Sequence, residues 1–195
     1  RSSKLEVRKR LGLPADQKII MYTGHLYEWK GASVLLEAAR NSIFHIPHST
    51  FIFIGGTDHD VKLFREKAGD LDNVLILGHK PHSEIPEYLK AADVLVLPNS
   101  GKSEISQVHT SPLKLFEYMA AGRPIVASEL LSIQEILNET NSILVKPDDP
   151  QSLAEEIKNV FADEALAEKI SQQALRDAQK YTWQSRAKKI LTFLV

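Results

Sequence analysis

Six short apolar runs, separated by stretches with helical spacing, constrain the fold of this chain more than any other feature. The runs span residues 18–24, 50–56, 73–79, 93–99, 124–128 and 142–147. Most are nearly continuous in apolar residues, which is typical of parallel strands covered by helices on both faces. The alternation therefore predicts an α/β fold with an open, doubly wound, mostly parallel six-stranded Rossmann-like sheet. Right-handed crossovers bring the loops after the strands to one edge, where ligands of such sheets bind.

From about Asp149 the strand pattern stops, and the sequence predicts two or three C-terminal helices. An apolar stripe on the last of these helices consists of Trp183, Ala187, Ile190 and Leu191. Two S-x-x-E pairs, which start at Ser3 and Ser132, have the pattern of capping boxes and predict helix starts. Residues 1–13 resemble a helix already under way, so the chain is expected to be part of a longer protein.

The composition excludes several classes of protein. The 195 residues are 43% hydrophobic and 25% charged, as in a soluble globular domain, and the net charge of −1 gives no overall attraction to nucleic acid or anionic membranes. The chain has no cysteine, which favours a reducing cytoplasm, and no apolar run long enough to span a membrane. None of the seven histidines has a strong metal-ligand spacing, so no metal is predicted.

The turn after the first run, YTGHLYEWKG, is a candidate phosphate site. Gly24 permits a tight turn, and Gly31 permits a close backbone approach near the start of a helix, where free N–H groups attract phosphate. His25 and Lys30 bracket this turn. The alternative is a solvated lysine and an ordinary loop histidine. The stretch matches neither the Walker A motif nor the dinucleotide G-x-G-x-x-G motif.

Three further features lie at or near the ends of predicted strands. Gly55 and Gly56 close the second run, where they either clear space for a ligand or form a plain turn. The polar segment 99–109 is either a functional loop or a tolerated insertion. Asp93 is interpreted as a residue at the start of a strand rather than a catalyst.

The segment HTSPLKLFEYMAAG predicts a helix of about three turns. Ser111 suits the N-cap, Pro112 suits the first helical position, and Gly122 suits the C-terminal end. The predicted buried side consists of Leu113, Phe116, Met119 and Ala120.

Lys114 and Glu117, three residues apart, share another face of the same helix. They form either a surface ion pair or a face that looks onto the ligand cleft, with phosphate at the helix start. In the second case Glu117 would accept hydrogen bonds from two adjacent hydroxyls, such as those of a ribose.

Four stretches, taken together and in order, resemble the C-terminal, donor-binding half of family-4 retaining glycosyltransferases (glycosyl transferases group 1). These stretches are 22–31, 73–99, 111–128 and 181–191. The family has the GT-B architecture of two facing Rossmann-like domains. The resemblance therefore implies that residues 1–195 form one nucleotide-sugar-binding domain, that 181–195 is the closing helix, and that an N-terminal acceptor domain is absent from this chain.

The resemblance implies roles for single residues in donor binding and catalysis. In the family, a basic residue after the first glycine and a lysine before the next glycine bind the donor diphosphate. His25 stands at the position of the first of these residues, and Lys30 matches the lysine. A nearby diphosphate would favour the protonated form of the His25 imidazole. We therefore expect the affinity for nucleotide to depend on pH. Glu117 matches the second glutamate of the E-x₇-E motif, which contacts the ribose. The first glutamate would fall at His109, with Glu104 as a possible substitute for the donor-sugar contact.

The remaining implied contacts bind the donor nucleotide. Ser111, Leu113 and Lys114 fall where backbone amides meet the diphosphate, and Lys114 adds a charge. Lys80 lies in the loop that flanks the nucleobase, and Gly24 and Gly55 lie at the strand ends beside the donor.

The implied activity is a retaining, metal-independent hexosyl transfer without a cofactor, from a UDP-, GDP- or ADP-sugar to a carbohydrate or lipid-linked acceptor. The acceptor would bind through the missing domain, so the chain alone is expected to bind nucleotide and to be inactive. The expected location is the cytoplasm, or the inner membrane face through the missing half. Two alternatives remain open: a GT-B sugar-nucleotide epimerase and a non-catalytic nucleotide-binding module.

Overall fold

A computed structural model describes residues 3–42, 46–110 and 113–193 of the chain. Its strands are β1 (Lys18–Thr23), β2 (Ser49–Ile54), β3 (Val74–Gly78), β4 (Val94–Leu97), β5 (Ile125–Ser128) and β6 (Ile143–Val145). All six pair in parallel, in the spatial order β3-β2-β1-β4-β5-β6. This order confirms the predicted open, doubly wound sheet.

Helices cover both faces of the sheet. They are α1 (Lys4–Leu11), α2 (Ala32–Ser42), α3 (Asp58–Ala68), α4 (Ile85–Ala91), α5 (Leu113–Ala121), α6 (Leu131–Gln134), α7 (Pro150–Ala162), α8 (Glu164–Ala178) and α9 (Trp183–Phe193). The last three confirm the helical C-terminal region. Trp183, Ile190 and Leu191 of the predicted stripe on α9 are exposed rather than packed against the described residues. None of the described helices is long and apolar enough to cross a membrane.

The core has two layers because successive strand residues point to opposite faces of the sheet. On β1, Ile19 and Met21 pack into one layer, whereas Ile20 and Tyr22 pack into the other. Strands β2, β4 and β5 are buried along their whole length. The continuous apolar runs of the sequence therefore reflect strands that are covered on both sides.

One predicted capping box is confirmed and the other is wrong. Ser3 and Glu6 form both bonds of a capping box at the start of α1. Ser132 instead lies inside the short helix α6, where it is buried and donates a hydrogen bond to the Ser106 carbonyl at 2.6 Å. The Ser132 hydroxyl thus bonds to a carbonyl distant in sequence instead of capping a helix, as its local spacing predicted.

The segment 99–109 is more ordered than a surface insertion. It contains a π-helical turn, Ile105–His109, which is often found at functional sites. Asn99, Ser100 and Ser106 are buried within it. The Ser100 amide donates a hydrogen bond to the Trp29 carbonyl at 3.0 Å, which attaches the segment to the turn after β1.

Asp93 attaches α1 to the sheet, in agreement with its interpretation as a structural residue. Its carboxylate accepts hydrogen bonds from Arg8 Nη2 at 2.6 Å, from the Ile19 amide at 2.7 Å and from Lys4 Nζ. Burial raises the pKa of Asp93, but the hydrogen bonds from Lys4, Ile19 and Arg8 outweigh burial and lower it. The Arg8 guanidinium is itself buried, so this carboxylate neutralises a charge inside the fold.

Asp93→Asn is expected to lower the free energy of unfolding by about 2 kcal/mol at pH 7, because it leaves the buried Arg8 charge without its anion. The contribution of Asp93 is present above its unfolded pKa and is lost as pH falls through its lower folded pKa. The difference in the free energy of unfolding between wild type and variant should therefore shrink as the pH falls below 3.8, the ordinary pKa of an aspartate side chain. Urea titrations across this range measure the difference, with the exposed Asp16→Asn as a matched control. A constant difference at all pH values would contradict the assignment.

Candidate functional site

The order of the strands reverses between β1 and β4, and the chain after β1 packs directly against the chain after β4 at this point. Gly31, with φ +73°, ends a 3-10 turn over Glu28–Lys30. A Cβ atom at Gly31 would lie 1.7 Å from the Pro98 carbonyl oxygen. The predicted close backbone approach at Gly31 is thus present, and it shapes the crevice where doubly wound folds bind ligands.

A cavity of about 640 Å³ opens at the carboxyl ends of β1, β2 and β3. Its lining combines strand ends, the loop after β3 and the first turns of α5. The lining residues are Thr23, Gly24, His25, Ile54, Gly55, Gly56, Thr57, Asp58, His79, Lys80, His82, Ile85, Lys114 and Glu117. Most of the predicted site residues therefore meet in one cavity, of a size that suits a small-molecule ligand.

Helix α5 is attached to β1 by Tyr118. The buried Tyr118 hydroxyl accepts a hydrogen bond from the Thr23 amide at 2.8 Å and lies 3.2 Å from the Thr23 hydroxyl. Burial raises the pKa of Tyr118 to about 12, so the phenol stays neutral. Lys114, one turn earlier on the helix, is thereby placed at the end of β1.

The predicted buried side of α5 is largely wrong. Met119 is buried, but Leu113 is 63% exposed and Ala120 is also exposed. The buried residues of the helix are Lys114, Leu115, Tyr118 and Met119. The sequence left Lys114 either in a surface ion pair or on a face that looks onto the ligand cleft, and tertiary packing turns this face of the helix toward β1.

Lys114 is buried, and its Nζ has no hydrogen-bond partner among the described residues. The residue is 9% exposed, and its Nζ lies 3.9 Å from the centre of the Tyr22 ring. Burial lowers the pKa of Lys114 well below 10.5, the nearby Lys30 charge lowers it further, and the Glu117 carboxylate offsets only part of this shift. The alternative of a surface ion pair with Glu117 is therefore excluded. Burial of the charged form without a partner is costly, and an anionic ligand in the cavity would supply that partner.

Glu117 faces the same cavity from the next turn of α5. Its side chain is 33% exposed, and Oε1 lies 2.8 Å from Nε2 of His82 in the loop after β3. Since a carboxylate accepts through two oxygens, Glu117 keeps acceptor capacity for a ligand while it binds His82.

The two basic residues after β1 differ in their positions. His25 lines the cavity, and its ring stacks on Tyr27 with centroids 4.9 Å apart. Lys30 is not one of the described residues that line the cavity. Its Nζ lies 4.0 Å from the centre of the Trp29 ring, and burial lowers its pKa. Lys30 therefore adds positive potential near Lys114.

The two predicted strand-end glycines bring neighbouring loops together. Gly24 has φ +131° and lies against the Lys114 side chain, since a Cβ there would be 3.4 Å from Nζ. Gly55 has φ +121°, and a Cβ there would lie 2.3 Å from the Gly24 carbonyl oxygen. Side chains at either position would fill the floor of the cavity.

Other predicted contacts lie at the rim of this cavity or outside it. Lys80 lines the cavity from the loop after β3, whereas Leu113 lies in a separate groove beside α9. His109 and Glu104 are both exposed, with Nε2 and Oε1 3.8 Å apart, and neither lines the cavity. Ser111 and Pro112 fall outside the described residues. Within the described residues, no three His, Asp or Glu side chains form a group that could hold a metal ion.

A family model described as Glycosyl transferases group 1 matches residues 3–177, which is most of the chain. The chain belongs to this family. Group 1 membership agrees with the resemblance carried by the four sequence stretches. It also agrees with the sheet order and with the position of the cavity at the carboxyl ends of the strands.

Two relatives with similar sequences support the assignment of this chain to group 1. It is 30% identical over 191 residues to an uncharacterized glycosyltransferase of Methanocaldococcus jannaschii, MJ1607, with 95% of this chain and 46% of the relative covered. It is 31% identical over 155 residues to the putative teichuronic acid biosynthesis glycosyltransferase TuaC of Bacillus subtilis, with 80% and 36% covered. The chain thus spans about half or less of the length of these relatives.

A solved structure shares the fold of the group 1 chain. The crystal structure of HepE from Anabaena, in complex with UDP, superposes with a TM-score of 0.82 at 23% identity. The match covers 98% of this chain and 52% of HepE.

Sequence reasoning missed two residues that organise the site. His82 and Tyr118 lie within stretches 73–99 and 111–128, but neither was singled out there, because their partners, Glu117 and Thr23, are 35 and 95 residues away. Only the packing of α5 against β1 and the loop after β3 brings these pairs together.

Proposed function

We propose that this chain is the donor-binding domain of a GT-B glycosyltransferase, which binds a nucleoside-diphosphate sugar in the cavity at the ends of β1–β3. The observation that carries the proposal is Lys114, a buried lysine that faces the cavity and whose Nζ has no hydrogen-bond partner in the described part of the chain. A diphosphate there would replace the missing anion. Group 1 membership and the family names of the relatives support this function over the epimerase and the non-catalytic module.

The positions of the other residues support a division of the donor along the cavity. The diphosphate would lie against Lys114, His25 and Gly24, with Lys30 adding potential from behind. The ribose would bind Glu117, and the loop with Lys80 would flank the base. UDP is a reasonable first ligand, since HepE shares the fold and was solved with UDP.

The chemical contribution of these groups would be stabilisation of the departing diphosphate. Negative charge grows on the diphosphate as the bond to the sugar breaks, and a fixed cation in a site of low dielectric stabilises that charge strongly. Lys114 is suited to this task because its ammonium is held over Tyr22 before the ligand arrives. We propose a retaining, metal-independent hexosyl transfer of this kind.

The acceptor would bind to a second domain that is not part of this chain, as the greater length of the relatives suggests. The exposed stripe on α9, with Trp183, Ile190 and Leu191, would pack against that domain. We therefore propose that residues 1–195 bind a donor but transfer no sugar alone, and that the whole protein acts in the cytoplasm on a carbohydrate or lipid-linked acceptor.

A thermal-shift panel tests the donor site. UDP, GDP, ADP and their sugar conjugates should include at least one ligand that, at 100 times its Kd, stabilises the chain by about 2.7 kcal/mol, or roughly 5–10 °C in Tm. Uridine, guanosine and adenosine are the matched controls, since they lack the diphosphate that Lys114 would bind.

Two results would contradict the proposal. Equal shifts with a nucleoside and its diphosphate would remove the role of Lys114, and no shift with any nucleotide would remove the donor site. Sugar transfer by the 195-residue chain alone would refute the need for a second domain.

A further inference from the structure

His82 joins two elements across the mouth of the cavity. Its Nε2 atom lies 2.8 Å from Oε1 of Glu117, which is the only hydrogen bond recorded for the Glu117 side chain among the described residues. Because a carboxylate only accepts hydrogen bonds, Nε2 must carry a proton and donate it. The bond therefore links the imidazole, which is 85% exposed, to the carboxylate, which is 33% exposed.

His82 and Glu117 both lie on backbone that is held by hydrogen bonds. In the turn that carries His82, the Glu84 amide donates to the Pro81 carbonyl at 2.9 Å, and the Ile85 amide donates to the His82 carbonyl at 3.3 Å. On the other side, α5 is held to β1 through Tyr118, the residue after Glu117. A hydrogen bond between two anchored elements orders the carboxylate before a ligand arrives.

We propose that His82 is a positioning residue that orients the Glu117 carboxylate toward the two ribose hydroxyls of the donor nucleotide. This inference rests on the proposed function, in which Glu117 binds the ribose. His82 takes one acceptor position of Oε1, so the remaining positions on the two oxygens face the diol. His82 lines the same cavity but acts through Glu117 and not through its own contact with the base or the phosphates.

The physical gain is preorganisation. Without His82, the Glu117 side chain, which is 33% exposed, would sample several rotamers and would have to be ordered when the nucleotide binds. That cost falls only on ligands that use the carboxylate. A nucleotide without ribose hydroxyls gains nothing from an oriented Glu117, so its affinity should not depend on His82.

The test compares UDP with 2′,3′-dideoxy-UDP by calorimetry on the 195-residue chain, with the GDP and ADP pairs run in parallel. The wild type should prefer the ribonucleotide by about tenfold, as expected for hydrogen bonds to a charged group. His82→Ala should weaken ribonucleotide binding by about three- to tenfold and leave dideoxynucleotide binding unchanged. His82→Gln, which can donate a hydrogen bond from a similar position, should restore most of the preference.

His59→Ala is the matched control. His59 is also exposed and lies in the first turn of α3, but it does not line the cavity. Its removal should change neither affinity, and melting temperatures confirm that each variant is folded.

The outcomes separate the two proposals. If His82→Ala keeps the wild-type preference, or weakens both ligands equally, the positioning role is overturned and the donor site stands. If the wild type itself does not prefer the ribonucleotide, the proposed contact between Glu117 and the ribose is overturned, and so is the positioning role of His82. If none of the three ribonucleotides binds, the donor-site proposal itself is overturned.

Discussion

Lys114→Met is expected to stabilise the unliganded chain and to weaken nucleotide binding, two effects of opposite sign. Lys114 Nζ is buried, and no described residue forms a hydrogen bond with it. An apolar side chain of similar length therefore removes a desolvated polar group and still packs on the Tyr22 ring. The free energy of unfolding should rise by about 1 kcal/mol or more, which is roughly 2–4 °C in Tm. The affinity for UDP should fall by about 10- to 100-fold, because a charge-assisted contact is lost.

The pH dependence of stability provides a second measurement on the same variant. Burial lowers the pKa of Lys114 in the folded chain, so the unfolded chain binds more protons between that pKa and 10.5. In this window the free energy of unfolding contributed by Lys114 rises with pH, and Lys114→Met should remove that slope. Lys62→Met, at an exposed position on α3, is the matched control and should change neither stability nor affinity. A destabilised variant with unchanged UDP affinity would show that Lys114 is structural only.

Gly31→Ala is expected to be the most destabilising of the substitutions considered. The new Cβ atom would lie 1.7 Å from the Pro98 carbonyl oxygen and 2.5 Å from its carbon, at a φ of +73° that L-residues rarely adopt. Because the obstacle is backbone, it cannot turn aside as a side chain could. Overpacking and the left-handed conformation together should cost about 3–5 kcal/mol, or roughly 10 °C in Tm.

Gly12→Ala isolates the steric part of this effect. Gly12 has nearly the same φ, +66°, but a Cβ atom there meets nothing within 4 Å. Its substitution should cost about 1–2 kcal/mol from backbone conformation alone. Equal losses at the two positions would contradict the close approach of Gly31 to the Pro98 carbonyl.

Much of the fold follows from local patterns. The six apolar runs correspond to the six strands, because strands buried on both faces need apolar residues at successive positions. The capping box at Ser3 is confirmed, since its partners are three residues apart. The box at Ser132 is wrong, because a carbonyl 26 residues away accepts its hydrogen bond instead.

The candidate site likewise has features that follow from local sequence patterns and features that depend on tertiary contacts. The sequence by itself determined which loops meet, since parallel crossovers bring the turns with Gly24, His25 and Gly55 to one edge of the sheet. It also singled out Lys114 and Glu117 as neighbours on one helical face. Only the tertiary structure decided that this face is turned inward, that Lys114 Nζ is buried without a hydrogen bond to any described residue, and that Glu117 meets His82. Helical spacing fixes which side chains share a face, but the orientation of that face depends on contacts such as that between Tyr118 and Thr23, 95 residues apart.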